Sequence, residues 1–118
     1  MAGFLVFFVA DPVDDALAAE VRHRVRALAA ARLWEQHAPG SFDDPDPGAG
    51  MRTTGGYLRL DRPAPGDALA VLDAAGALSA EHGVTIEVQW DERVLGHVRG
   101  GVPDAGLTDA VRAATARR

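Results

Sequence analysis

The chain has 118 residues and a formal charge of −5, from 12 basic and 17 acidic side chains. That length holds one ordinary domain, and 47% apolar with 25% charged residues is a globular composition. The absence of cysteine excludes a disulfide framework, a thiolate metal site and a cysteine nucleophile.

Every basic residue is arginine, so no P-loop lysine, Schiff-base lysine or carrier lysine exists. Asparagine is also missing, isoleucine occurs only at Ile86, and alanine occurs 23 times. These absences track AT-rich codons and indicate a high-GC genome. Arginine in place of lysine then reflects codon bias rather than phosphate recognition.

Met1-Ala2-Gly3 lacks the basic flank of a secretory signal, and the apolar run from Phe4 to Ala10 is far short of a membrane span. The expectation is a cytoplasmic protein that does not engage a membrane. Phe4-Leu-Val-Phe-Phe-Val9 is a run of strand formers stopped by Asp11-Pro12. A strand that is apolar at consecutive positions is expected to be covered on both faces.

Asp11 and Pro12 fit the cap and first position of a helix over 12–36. Val13, Leu17, Val21, Val25 and Leu28 form one apolar stripe that should pack on a sheet. Ala16, Ala19, His23, Ala27, Ala30 and Trp34 form a second stripe. Small residues in that register suit close helix packing, either within the domain or across a dimer with Trp34 as anchor.

Residues 37–56 are rich in proline, glycine and aspartate and read as a long loop. Loops beyond about 12–15 residues are usually functional or disordered. Residues 57–61 read as a strand, and a helix is expected over 67–82, closed by Gly83. Its buried stripe should be Ala68, Val71, Leu72, Ala75, Leu78 and His82. Residues 84–90 alternate cleanly, with Val84, Ile86, Val88 and Trp90 on one side and Thr85, Glu87 and Gln89 on the other. A turn at 91–93 leads to a strand over 94–99, and Pro103-Asp104 opens a last helix carrying Leu107, Val111 and Ala114.

The order β-α-β-α-β-β-α predicts an α/β (α+β) two-layer sandwich, with a mixed four-stranded sheet and three helices, ferredoxin-like in size. A further strand hidden near Arg52–Gly56 would bring it closer to the split βαββαβ arrangement.

Chemistry-bearing motifs are sparse. His23, His37, His82 and His97 lie on separate elements with no metal-ligand spacing, and no metal or other cofactor is expected. Gly48-Ala-Gly50 and Gly55-Gly56 lack the strand-to-helix setting of a dinucleotide loop. Asp43-Asp44-Pro-Asp46 offers oxygen ligands but no calcium loop, and reads as a solvated acidic tip. Ser41 and Ser79 sit in no nucleophile elbow. Arg22, Arg24, Arg26 and Arg32 form a basic cluster, yet a sequence pI of about 5.2 argues against nucleic acid.

Tyr57, Arg59, Glu87, Gln89, His97 and Arg99 are the polar strand residues that would line an open sheet face. The leading expectation is therefore a non-enzymatic interaction or regulatory module, able to neutralise a partner. It would self-associate as a homodimer or bind another protein, through Trp34, Arg22, Arg26, Tyr57 and Arg59 or through the edge of the 84–99 hairpin. The alternative is a small-molecule protein or enzyme with its site between the sheet and the 37–56 segment acting as a lid. Its candidate catalytic groups are His37, Asp43, Asp44 and His97.

Overall fold

A computed structural model describes residues 2–46 and 51–116. The elements are β1 (Gly3–Val9), α1 (Asp15–Ala31), β2 (Gly40–Asp46), β3 (Met51–Leu60), α2 (Pro65–His82), β4 (Thr85–Trp90), β5 (Arg93–Arg99), β6 (Val102–Pro103) and α3 (Leu107–Thr115). The strands form one six-stranded sheet in the order β2-β3-β1-β4-β5-β6, and every pairing is antiparallel. The first four strands and two helices follow the split βαββαβ arrangement, with β5, β6 and α3 added at one side.

The α+β class and the three helices agree with the sequence reading. The count of four strands and the mixed sheet do not: the sheet has six strands, all antiparallel. Most of the difference lies in residues 37–56, where β2 and the start of β3 pair from Gly40↔Tyr57 to Asp46↔Met51. These strands carry glycine, proline and aspartate, which local propensity disfavours in a strand. Tertiary contacts override that preference.

Gly55 and Gly56 allow the neighbouring strand and its ring to come close. A Cβ on Gly56 would lie 2.6 Å from the Phe7 ring and 3.0 Å from Val25. Pro45 is tolerated because β2 is an edge strand. A fork of hydrogen bonds fixes the hairpin. Arg52 donates to both Asp43 oxygens at 2.7 and 2.6 Å and to Asp15 of α1 at 2.6 Å, and the Thr54 hydroxyl donates to Asp43 at 2.9 Å. Gly48 and Gly50 lie outside the described residues.

Helix α1 starts later than expected. Asp14, not Asp11, is the cap, accepting from the Leu17 amide at 2.8 Å, while Asp11 accepts from the Thr85 amide at 2.7 Å. The helix ends at Ala31, five residues short of the expected 36. Val21 and Val25 are buried and Val13, Leu17 and Leu28 pack around them, as the stripe predicts. Among the described residues no helix lies over the second stripe. Ala16, Ala19, His23, Ala27 and Ala30 are exposed, because the side of α1 nearer α2 carries Arg24, which pairs with Glu81.

Helix α2 ends as predicted at Gly83, whose φ of 61° is the left-handed closing conformation. Its apolar stripe is buried from Ala68 to Leu78, but His82 is exposed. The buried Ser79 hydroxyl lies 2.6 Å from the Val84 carbonyl and accepts from the Gly101 amide at 3.0 Å. It ties α2 to the start of β4 and to the turn after β5. Leu107, Val111 and Ala114 of α3 complete the core. Among the described residues no helix is long and apolar enough to cross a membrane.

Two outcomes follow from this packing. Arg52 is the largest cause holding the Asp43 carboxyl at about 2, against an ordinary 3.8. A depressed carboxylate stabilises the fold above pH 3.8, and that contribution is lost as pH falls from 3.8 towards 2. Arg52→Gln should return the Asp43 titration towards its ordinary value in carboxyl NMR and move acid unfolding to higher pH. In urea unfolding, Gly56→Ala should cost about 2 kcal/mol or more through the clash with Phe7. Gly76→Ala, in open space on α2, should instead add about 0.5–1 kcal/mol.

Candidate functional site

All three helices pack on one face of the sheet. The side chains that alternate to that face are Leu5, Phe7 and Val9 of β1, Leu58 and Leu60 of β3, and Ile86 and Val88 of β4, all buried. The other face carries the alternate positions. Register sets them in rows across the strands. One row runs Phe42, Gly55, Phe8, Glu87, His97, the next Gly40, Tyr57, Val6, Gln89, Val94, and the third Arg59, Phe4, Asp91.

The middle of this face is apolar. Phe4 is 41% exposed, Tyr57 38% and Val94 51%, with Val6, Phe8 and Phe42 partly exposed beside them. Phe4 and Tyr57 meet in a tilted pair with ring centroids 6.3 Å apart. Tyr57 lies across β2 because Gly40 has no side chain: a Cβ there would be 2.7 Å from the ring and its hydroxyl. The result is an aromatic surface spread over β1, β2 and β3.

The β4–β5 half is polar and internally bonded. Glu87 and His97 are 3.1 Å apart, and Gln89 donates to Glu87 at 2.6 Å. The His97 amide donates to Asp104 at 2.9 Å, and that bond is the main reason the Asp104 carboxyl lies below its usual range. Arg99 pairs with Asp104 at 2.6 Å. At the lower end, Asp61 is bridged by His37 at 2.9 Å and Arg59 at 3.1 Å, and these hydrogen bonds lower its carboxyl.

The six polar residues expected on an open face, Tyr57, Arg59, Glu87, Gln89, His97 and Arg99, do share this face. The expected catalytic set does not converge. His37 sits with Asp61 just past the end of β3, Asp44 faces Thr53 towards the opposite end of the sheet, and Asp43 points to the helix side with Arg52. His97 is on β5, separated from β3 by the two strands β1 and β4. Residues 40–46 and 51–56 belong to the sheet and do not lie over it, so they form no lid. Among the described residues no cluster of three or more histidines and carboxylates could hold a metal ion.

Trp34 is half-buried and engaged within the chain. Its indole N–H donates to the Ala29 carbonyl at 3.1 Å, and the Arg32 guanidinium stacks over its ring at 4.8 Å. Arg32 also pairs with the buried Asp67, which accepts from the Glu35 amide. Arg22 and Arg26 are exposed on α1, in the helix layer.

Sequence reasoning missed Phe4, Phe8, Phe42 and Val94. The apolar run of β1 predicts cover on both faces, and the composition of β2 predicts a loop. The register of β1 against Tyr57 is the signal that places them. Comparison with family models, curated proteins and solved structures finds no match to this chain.

Proposed function

We propose that this protein is a non-enzymatic interaction module that binds another protein through the open face of its sheet. The observation that carries this reading is β1. It is apolar at consecutive positions from Phe4 to Val9, which suits a strand covered on both faces, yet the described residues cover only one. Covering the aromatic side chains Phe4, Phe8 and Tyr57 contributes about 1–2 kcal/mol each at the usual area coefficient. That reaches the lower end of the range of interface hot spots, where tyrosine is enriched.

The edges of the sheet favour face docking over strand addition. β2 carries Asp43, Asp44 and Pro45, β6 is two residues long, and β5 is bulged at Leu95. Each of these features discourages pairing with another strand. The hairpin-edge dimer expected from the sequence therefore has little edge to use.

Charge favours a different protein over a second copy. Asp44, Glu87, Asp91 and Glu92 lie on or beside the face, while its arginines, Arg59 and Arg99, are already paired to Asp61 and Asp104. With −5 on each chain, self-association is opposed at long range. The partner best suited is a protein with an apolar patch bordered by basic groups. Aromatic residues on β1 and β3 would also suit base stacking, but the acidic surroundings repel phosphate.

Photo-crosslinking in the source cells tests this. With benzoylphenylalanine at position 57, a discrete adduct to a different protein is expected, and none with the same group at the exposed position 27 on α1. An adduct only to a second copy, an adduct to nucleic acid, or no product beyond that from position 27 would overturn the proposal.

A further inference from the structure

A second surface feature lies at the end of the sheet, bordering the aromatic face at Asp91. The end of β3, the start of β1 and the β4–β5 turn surround a cleft of about 410 Å³ that Trp90, Arg62, Arg93, Asp61 and Asp91 help to line. That volume is within the usual range for small-molecule sites. Trp90 is half-buried and belongs to the helix-side row of β4. It lies against Gly3, where a Cβ would be 2.4 Å from the indole, so the absence of a side chain seats the ring.

The charges around the cleft are unequal in availability. Six arginines of the chain pair with carboxylates: Arg24, Arg32, Arg52, Arg59, Arg99 and Arg112. Arg62 and Arg93 have no such partner among the described residues. The two carboxylates beside them are engaged. Asp61 is bridged by His37 and Arg59, and Asp91 accepts from the Phe4 amide at 2.8 Å.

The turn that carries Asp91 is strained at Glu92. Its φ of 69° falls where hairpin turns usually place glycine, whereas Asp91, with φ of 47°, is a residue that such turns accept. Such strain persists where surrounding contacts impose it, and it concentrates at ligand-holding positions. Here the Asp91 side chain and amide clamp both polar groups of Phe4, fixing the turn beside Trp90.

We infer that this cleft binds a small planar anion, an aromatic carboxylate or phosphate of one or two rings, with its ring on Trp90 and its charge between Arg62 and Arg93. Guanidinium groups suit this because they bind carboxylate and phosphate oxygens in pairs. The cleft shares Asp61 and Asp91 with the rim of the sheet face, but Trp90, Arg62 and Arg93 belong to the cleft alone, so either reading can fail alone.

Benzoate, indole-3-acetate and phenyl phosphate are the probes, with benzyl alcohol as the uncharged control. The indole N–H signals of the two tryptophans are assigned with Trp34→Phe and followed by NMR. At least one anion should shift the Trp90 signal saturably while the Trp34 signal stays in place. Arg62→Gln and Arg93→Gln should each weaken binding by about 5–10-fold, with circular dichroism unchanged. Equal response to benzyl alcohol, unchanged affinity in both arginine variants, or no saturable shift with any of the three anions would overturn the inference.

Discussion

Strand β1 organises this protein. It lies between β3 and β4 near the centre of the sheet, with Leu5, Phe7 and Val9 buried under the helices and Phe4, Val6 and Phe8 on the opposite side. Its helix-side half is the floor of the core, where Phe7 reaches Gly56 and Val25. Neighbouring elements accommodate it: glycines at 55 and 56 let β3 approach, and Asp91 clamps its first residues. The outward half has no counterpart layer among the described residues. A two-layer α/β domain buries one face of its sheet and leaves the other to water, and that face is then normally polar. Here its centre is aromatic.

The charged groups divide between holding the fold and framing its surfaces. Arg52, Asp43 and Asp15 join the β2–β3 hairpin to α1. Arg32, Asp67 and Trp34 join the end of α1 to the start of α2. Charges so committed are poorly placed to serve a partner, since using them would first cost the contacts they make. The same reasoning separates the proposed docking face, whose centre is apolar, from the cleft beside Trp90, whose arginines have no carboxylate partner among the described residues.

Much of the helical architecture was legible in the sequence, because apolar periodicity reports burial directly. The inner stripes of α1 and α2, the Gly83 closure, the alternation of β4 and the burial of Leu107, Val111 and Ala114 were all readable. The β2–β3 hairpin was not. Its strands hold the residues that mark turns, and what makes them strands is pairing with β1 and the fork at Arg52, which no local window contains. The open face was half legible: alternation gave Tyr57, Arg59, Glu87, Gln89, His97 and Arg99. Phe4 and Phe8 stayed hidden because a run apolar on both sides gives no sign of which side the chain itself covers. Trp34 illustrates the converse, since a tryptophan after an alanine stripe looks like an interface anchor until its N–H and ring are found engaged within the chain.

Tyr57 is the only tyrosine, so 3-fluorotyrosine places one fluorine on the proposed docking face. Fluorine NMR with a soluble paramagnetic probe should find that site accessible in the purified protein. In extract from the source cells, the account predicts a shifted resonance that the probe no longer reaches. An unchanged resonance, as accessible in extract as in isolation, would contradict the claim that another protein covers this face.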